Sequence, residues 1–290
     1  MSDRTTPIQN YNQWTLAGAG LGLRQGHYRD FLQHKPGLSW LEILSDLHVD
    51  MLGPEMRLLE QIRCFSPLSL HGSRMSLGSA EPLNYRYLKQ LKQLAIRLES
   101  SCISDHIAFS SLDGQFSQTL LPLPLTEEAL DHLVPRIQEV QDYLGQQILL
   151  KNPACYFRYT HSTLSEGEFM AALAQRADCL LILDLSNSYI NQYNLGRNAL
   201  DCFDQLPASR IRQIHLSGFT DCSRYLTASR DCKPQDAVLA LYEAALEQFG
   251  PVPVALEWDY NLPLLHTLVQ EVHMLEQLMV GRQRKMRASR

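Results

Sequence analysis

Short apolar runs alternate with longer amphipathic stretches along the chain. Eight runs read as strands: 16–23 (LAGAGLGL), 39–44 (SWLEIL), 67–71 (PLSLH), 102–106 (CISDH), 147–151 (QILLK), 179–184 (CLLILD), 211–216 (IRQIHL) and 253–258 (PVALEW). Most are apolar on successive residues, as expected of strands covered on both faces. Between them, apolar residues recur at spacings of three and four over 54–65, 84–100, 126–145, 165–177, 234–250 and 262–280, which predicts helices. Thr126 and Ser165, each followed by acidic residues, mark helix starts. Eight strands alternating with helices predict an α/β fold, a (β/α)8 TIM barrel; an open doubly wound sheet is the alternative. Against the open sheet, the glycines of "GAGLGL" do not form a GxGxxG turn after the first strand. Gly18, Gly20 and Gly22 alternate and are expected to thin one face of a barrel stave.

Composition narrows the class. The 290 residues are 45% hydrophobic and 20% charged, ordinary for a globular chain with a sizeable core. We expect one domain over 1–280, followed by a disordered basic tail at 281–290. That tail carries Arg282, Arg284, Lys285, Arg287 and Arg290. The net charge is −5, and nucleic acid is not an expected partner. The polar start gives no signal peptide, and no apolar run approaches the roughly 18 residues needed to span a bilayer. Seven scattered cysteines with no CxxC pair suit a reducing compartment, and we expect a cytoplasmic protein.

Chemistry in such barrels sits at the C-terminal strand ends. Those ends carry His71, His106 beside Asp105, Lys151 with Asn152, Asp184 with Asn187, His215, and Glu257 with Asp259. One such histidine would be read as a core residue. His71, His106, Asp184, His215 and Glu257, each from a different strand, form a candidate metal-ligand set suited to iron, manganese or zinc. The remaining histidines (His27, His34, His48, His132, His161, His266 and His273) read as surface or packing residues. Ser69, Ser104 and Ser186 lack a GxSxG elbow, which argues against a serine hydrolase.

The segments "GAGLGLRQGHY" (18–28), "WLEILSD" (40–46), "PLSLHGSRMSLGS" (67–79), "SDHIAFS" (104–110), "LLPLPLTEEALDHLVPRIQEVQDYLGQQILLKNPACY" (120–156), "IHLSGF" (214–219) and "ALEWD" (255–259), in that order, resemble the multinuclear non-haem iron-dependent oxidases, relatives of the methanobactin biosynthesis oxidase. The resemblance implies a xylose-isomerase-like barrel holding two or three irons. It also implies oxygen-dependent modification of a ribosomally made peptide, often at cysteine, with a partner protein that helps to present the peptide.

The chain departs from that pattern at several ligands. The family's "LLENP" reads "LLKNP", which places Lys151 at a ligand glutamate. "HLAGH" reads "HLSGF", with Phe219 at the second histidine; Leu195 follows Asn194 where the family has histidine; and Ala228 and Arg230 stand at an aspartate and a histidine. His71, His106, Asp184, Asn187, His215 and Glu257 survive, which allows a mono- or dinuclear iron site at most, or none. Lys151 then has three readings. It neutralises Asp184 and Glu257 in a metal-free site; it neighbours a persisting ion as a base of lowered pKa; or it is carbamylated. The expected function is a non-catalytic or reduced-nuclearity barrel that binds a ribosomal precursor peptide or a partner recognition protein. The alternative is an active mono- or di-iron oxidase of such a peptide, with Lys151, Asp184 and Glu257 as catalytic candidates. A metal-dependent isomerase or endonuclease is a weaker third reading, because Lys151 and Phe219 remove positions such sites would use.

Overall fold

The computed structural model describes residues 16–112 and 114–288. Its barrel strands are β1 (Ala19–Gly22), β2 (Leu41–Leu44), β3 (Leu68–His71), β4 (Cys102–His106), β5 (Leu149–Lys151), β6 (Leu180–Asp184), β7 (Ile211–Leu216) and β8 (Val254–Leu256). They close in chain order into one parallel ring, with β8 pairing back onto β1. The open-sheet alternative is thereby excluded. The α-helices among the described residues are α1 (Tyr28–His34), α2 (Pro54–Arg63), α3 (Tyr85–Arg97), α4 (Glu127–Leu144), α5 (Glu166–Arg176), α6 (Leu185–Leu195), α7 (Ala199–Gln205), α8 (Asp236–Phe249) and α9 (Leu265–Ala288). Among the described residues, no helix is long and apolar enough to cross a membrane.

Local sequence sets the boundaries. Ser165 and Glu168 form a reciprocal capping box at the start of α5. Thr126 accepts from the Ala129 amide to cap α4, and Gly145 ends that helix in the left-handed region. Helix α9 extends to Ala288, through most of the segment expected to be a disordered tail. Arg282 of that segment pairs with Glu247 of α8 at 2.5 Å, which ties it to the barrel. Residues 289–290 lie outside the described ones. Helices α1, α6 and α7 were not predicted, nor was the antiparallel hairpin Phe109–Leu112 with Gln115–Leu121. The Asp-Gly pair at 113–114 carried the hairpin signal.

The strand period of two sorts the barrel interior into layers. Trp40, Cys102, Leu149, Leu180, Ile182 and Ala255 form a separate apolar cluster together with Leu16. Two residues further along their strands stand Glu42, Ser104, Lys151, Asp184 and Glu257, all buried. The larger core packs the outer strand faces against the helices. Gly20 makes room for this arrangement, since a Cβ there would lie 2.4 Å from the Trp40 ring.

Candidate metal centre

Register gathers the candidate side chains at one level. Lys151 pairs with His106 across β4–β5, Asp184 with His215 across β6–β7, and His71 with Ser104 across β3–β4. Lys151 Nζ lies 2.7 Å from Glu257 Oε2, 2.8 Å from Asp184 Oδ2 and 2.9 Å from His215 Nδ1. Two of its donors are hydrogen-bonded, to Glu257 and His215, and Asp184 Oδ2 lies in charge contact with it. Lys151, Asp184, His215 and Glu257 are all 0% exposed.

A second cation lies on the same carboxylates. Arg230 approaches Glu257 Oε2 at 3.5 Å, Asp184 Oδ2 at 3.9 Å and Asp259 Oδ2 at 3.4 Å. Arg24 holds the other oxygen of Asp259 at 2.6 Å. Burial pushes Glu257 up, but Arg230, Lys151 and His215 together carry its pKa well below the ordinary carboxylate range.

The three histidines differ in state. Ser104 Oγ donates to the Leu70 carbonyl at 3.1 Å, so at 2.8 Å it accepts from His71 Nδ1–H. His106 Nδ1 donates to the Gly72 carbonyl at 3.1 Å. Burial, with the Lys151 charge next, holds both rings well below the ordinary imidazole pKa. Both are therefore neutral, and their Nε2 lone pairs have no hydrogen-bond partner among the described residues. The two rings lie 4.7 Å apart. His215 behaves differently. Burial lowers its pKa, but Glu42 at 3.2 Å from Nε2 and Glu257 at 3.2 Å from Nδ1 outweigh burial and raise it. A neutral ring can accept at Nδ1 from Lys151, whereas a protonated one would pair there with Glu257 Oε1 at 3.2 Å.

The other expected residues have defined places. Asp184 uses Oδ1 to accept from the Asn187 amide at 2.9 Å, so α6 starts directly at the end of β6. Asn187 Nδ2 donates to the Asn152 carbonyl at 2.9 Å, which leaves Asn187 supporting the strand ends. Phe219 stacks on Tyr189 at 5.3 Å, and Asn194 bonds the carbonyls of Cys155 and Leu226. His48 and His27 are buried packing residues, with His48 bonded to Tyr28 and Leu44.

Sequence reasoning passed over Glu42 and weighed Ser104 only as a hydrolase nucleophile, whereas in the structure Ser104 orients His71. Glu42 did carry a signal, as a lone acid inside an apolar strand run. Arg230 carried one through the resemblance, where it stands at a family histidine, and the loop that carries it brings its guanidinium onto Glu257 and Asp184.

Residues 18–280 match the family described as RiPP precursor modification enzyme MbnB/TglH/ChrH. The chain belongs to this family. A UPF0276 protein of Acaryochloris marina is 45% identical over 258 residues, covering 88% of this chain and 92% of that protein. One from Anaeromyxobacter sp. is 41% identical, covering 88% and 90%. Among solved structures, the IOLI protein with a bound zinc atom superposes with a TM-score of 0.63 at 14% identity, over 92% of this chain and 99% of that one. D-allulose 3-epimerase from Methylomonas sp. gives 0.58 at 16%, over 93% and 97%. At these identities the likeness shows the fold, a xylose-isomerase-like TIM barrel.

Family members typically bind iron, and the donor set decides how much of that this chain fits. His71, His215 and Glu257 each offer a ligand atom, all within 4.8 Å of one another. Those three offer a candidate site for one ion, and any ion using Asp184 Oδ2 or Glu257 Oε2 would compete with Lys151 and Arg230.

Proposed function

We propose that this chain is a non-catalytic member of its family, whose barrel binds a peptide or a partner protein and whose centre is balanced by side-chain cations. The observation that carries this reading is the Lys151 ammonium, seated on Asp184, Glu257 and His215 within 2.9 Å. Charge arithmetic agrees. Glu42, Asp184, Glu257 and Asp259 face Lys151, Arg230 and Arg24, with His215 lying between Glu42 and Glu257. Buried carboxylates of this kind need compensation, and fixed cations supply it without an ion. The site residues Lys151, Asp184 and Glu257 are then structural charges at the floor of a binding barrel. Loops after the strands expose Leu47, Tyr156, Phe157, Tyr225 and Tyr260, anchors suited to a peptide or a protein surface.

A second reading rests on a specific observation, the two bare Nε2 lone pairs of His71 and His106. In that reading His71, His215 and Glu257 would hold one iron, and Lys151 would remain the partner of Asp184. An iron held there supplies one-electron chemistry with dioxygen. Carbamylation of Lys151 is disfavoured, because it would convert the cation facing Asp184 and Glu257 into a third carboxylate.

Metal analysis of protein purified anaerobically from iron-supplemented cells separates the readings. We expect no stoichiometric iron, because Lys151 and Arg230 already compensate Asp184 and Glu257. About one iron per chain, lost in His71→Ala, would overturn the metal-free reading in favour of the second.

A further inference from the structure

The side chains at the barrel centre are sealed from water. Lys151, Asp184, His215 and Glu257 are fully buried, and His71 and His106 nearly so. A solute cannot reach them in this conformation. Arg230 differs: 17% of its side chain is exposed, yet the guanidinium reaches Glu257, Asp184 and Asp259. It stands between the buried carboxylates and solvent. Burial first, then the charges of Lys151 and Arg230, lower the His106 pKa, so the guanidinium also stands near that ring. Behind it, the Nε2 atoms of His71 and His106 have no hydrogen-bond partner among the described residues.

The segment that carries Arg230 follows β7 and is lightly attached. Arg230 has φ +47°, a left-handed conformation that a non-glycine residue keeps only where its surroundings hold it. Backbone contacts hold it here. Its amide donates to the Gly218 carbonyl at 3.3 Å, and its carbonyl accepts from the Asp259 and Tyr260 amides at 2.7 and 3.2 Å. Further out, Thr220–Asp221 pairs with Leu226–Thr227 in a short hairpin. Asn194 clamps that hairpin, accepting from the Leu226 amide at 2.8 Å and donating to the Leu226 carbonyl at 3.0 Å. Residues 220–225 are all exposed, and Leu226 is the one buried apolar side chain between Phe219 and Lys233. Little apolar burial and charge contacts of 3.4–3.9 Å place a segment at the low-stability end of a fold, where local opening begins. The barrel strands beneath need not move for it to lift.

We infer that residues 217–233 form a lid over the barrel centre, latched by Arg230 onto Glu257 and Asp184, and that a ligand reaches His71 and His106 only when this lid lifts. The closed conformation excludes ligand by placing a cation of the chain itself where an entering group would pass. This goes beyond the proposed function and holds under either reading of the metal content.

Histidine acylation by diethyl pyrocarbonate, read by peptide mass spectrometry on the full chain in chelator near neutral pH, tests the lid, because the reagent attacks unprotonated imidazole. Exposed His34, His161 and His266 report unhindered reaction. Buried His48, bonded at both ring nitrogens to Tyr28 and Leu44, reports global unfolding. In the parent, His106 should react at least about tenfold more slowly than His34, as protection by a closed segment requires. Arg230→Ala should speed His106 by about tenfold, the factor of one lost charged contact, with His48 unchanged. Asn194→Ala frees the hairpin, leaves every charge at the centre in place, and should act in the same direction. Metal content is measured on the same samples, so a failure of the metal-free reading is seen separately. A rise at His106 in either variant without one at His48 supports the lid. Parent His106 reacting as fast as His34, or neither variant raising His106 beyond His48, overturns it.

Discussion

Replacing Lys151 with methionine keeps most of the side-chain volume and removes one positive charge from a pocket that retains Asp184 and Glu257. All three residues are 0% exposed, so solvent cannot take over the lost compensation. Removing one partner of a buried ion pair costs about 3–5 kcal/mol. Arg230 remains at 3.5 Å from Glu257 and 3.9 Å from Asp184 and offsets part of this, which points to the lower half of that range, about 3–4 kcal/mol. At about 2 °C per kcal/mol for a chain of this length, the melting temperature falls by roughly 6–8 °C. Urea unfolding and calorimetry in the presence of a chelator measure both quantities. The pH dependence has a definite sign. The folded pKa of Glu257 is depressed, so its ion pairing contributes fully above the ordinary carboxylate pKa and is lost as pH falls through the folded value. The gap between parent and variant should therefore be widest at neutral pH and close in acid. Lys151→Glu should be worse still without metal, since it sets a third carboxylate among the other two; added zinc or iron(II) should restore that variant but not the methionine one. A methionine variant within about 1 kcal/mol of the parent at pH 7, below the cost of an uncompensated buried charge, would refute the claim that Lys151 neutralises the site.

Other consequences are open to direct measurement. Arg230→Met should cost less than Lys151→Met, about 1–3 kcal/mol in urea unfolding, because its contacts are longer and it keeps some exposure to water. Glu42→Gln should lower the His215 pKa seen by NMR titration; the raised value gives stability that is full below the ordinary imidazole pKa and lost as pH rises through the folded one, and the variant should lack that loss. Asp105 is pushed by burial up to about 8, so stability should decline as pH rises from about 4 toward that value, a slope that Asp105→Asn should flatten. Gly20→Ala puts a methyl against the buried Trp40 ring and should cost about 1–3 kcal/mol, with a shift in tryptophan emission.

Much of the barrel was legible because strand and helix periods differ and each strand is short. The predicted strands 102–106 and 211–216 match β4 and β7 residue for residue, and the others run one to three residues long at an end. Helix α6 escaped because it begins on the residue after β6, with Asp184 as its cap and no turn residue between the two patterns. Helix α1 is only seven residues long, too short to show a period.

The sequence by itself determined that six polar residues end apolar strands, and that one of them is a lysine. Hydrophobic burial forces such residues to a strand end, and the chain order of the strands is enough to expect them in a ring. Only the tertiary structure decided what the lysine meets. Barrel closure brings β5, β6, β7 and β8 to one level, so Lys151 meets Asp184, His215 and Glu257 from three other strands. It also decided that Arg230, carried on a loop with no periodic signal, reaches the same carboxylates. Pairing strength in a buried site depends on distances of a few ångströms between residues far apart in sequence, and those distances exist only once the ring has closed.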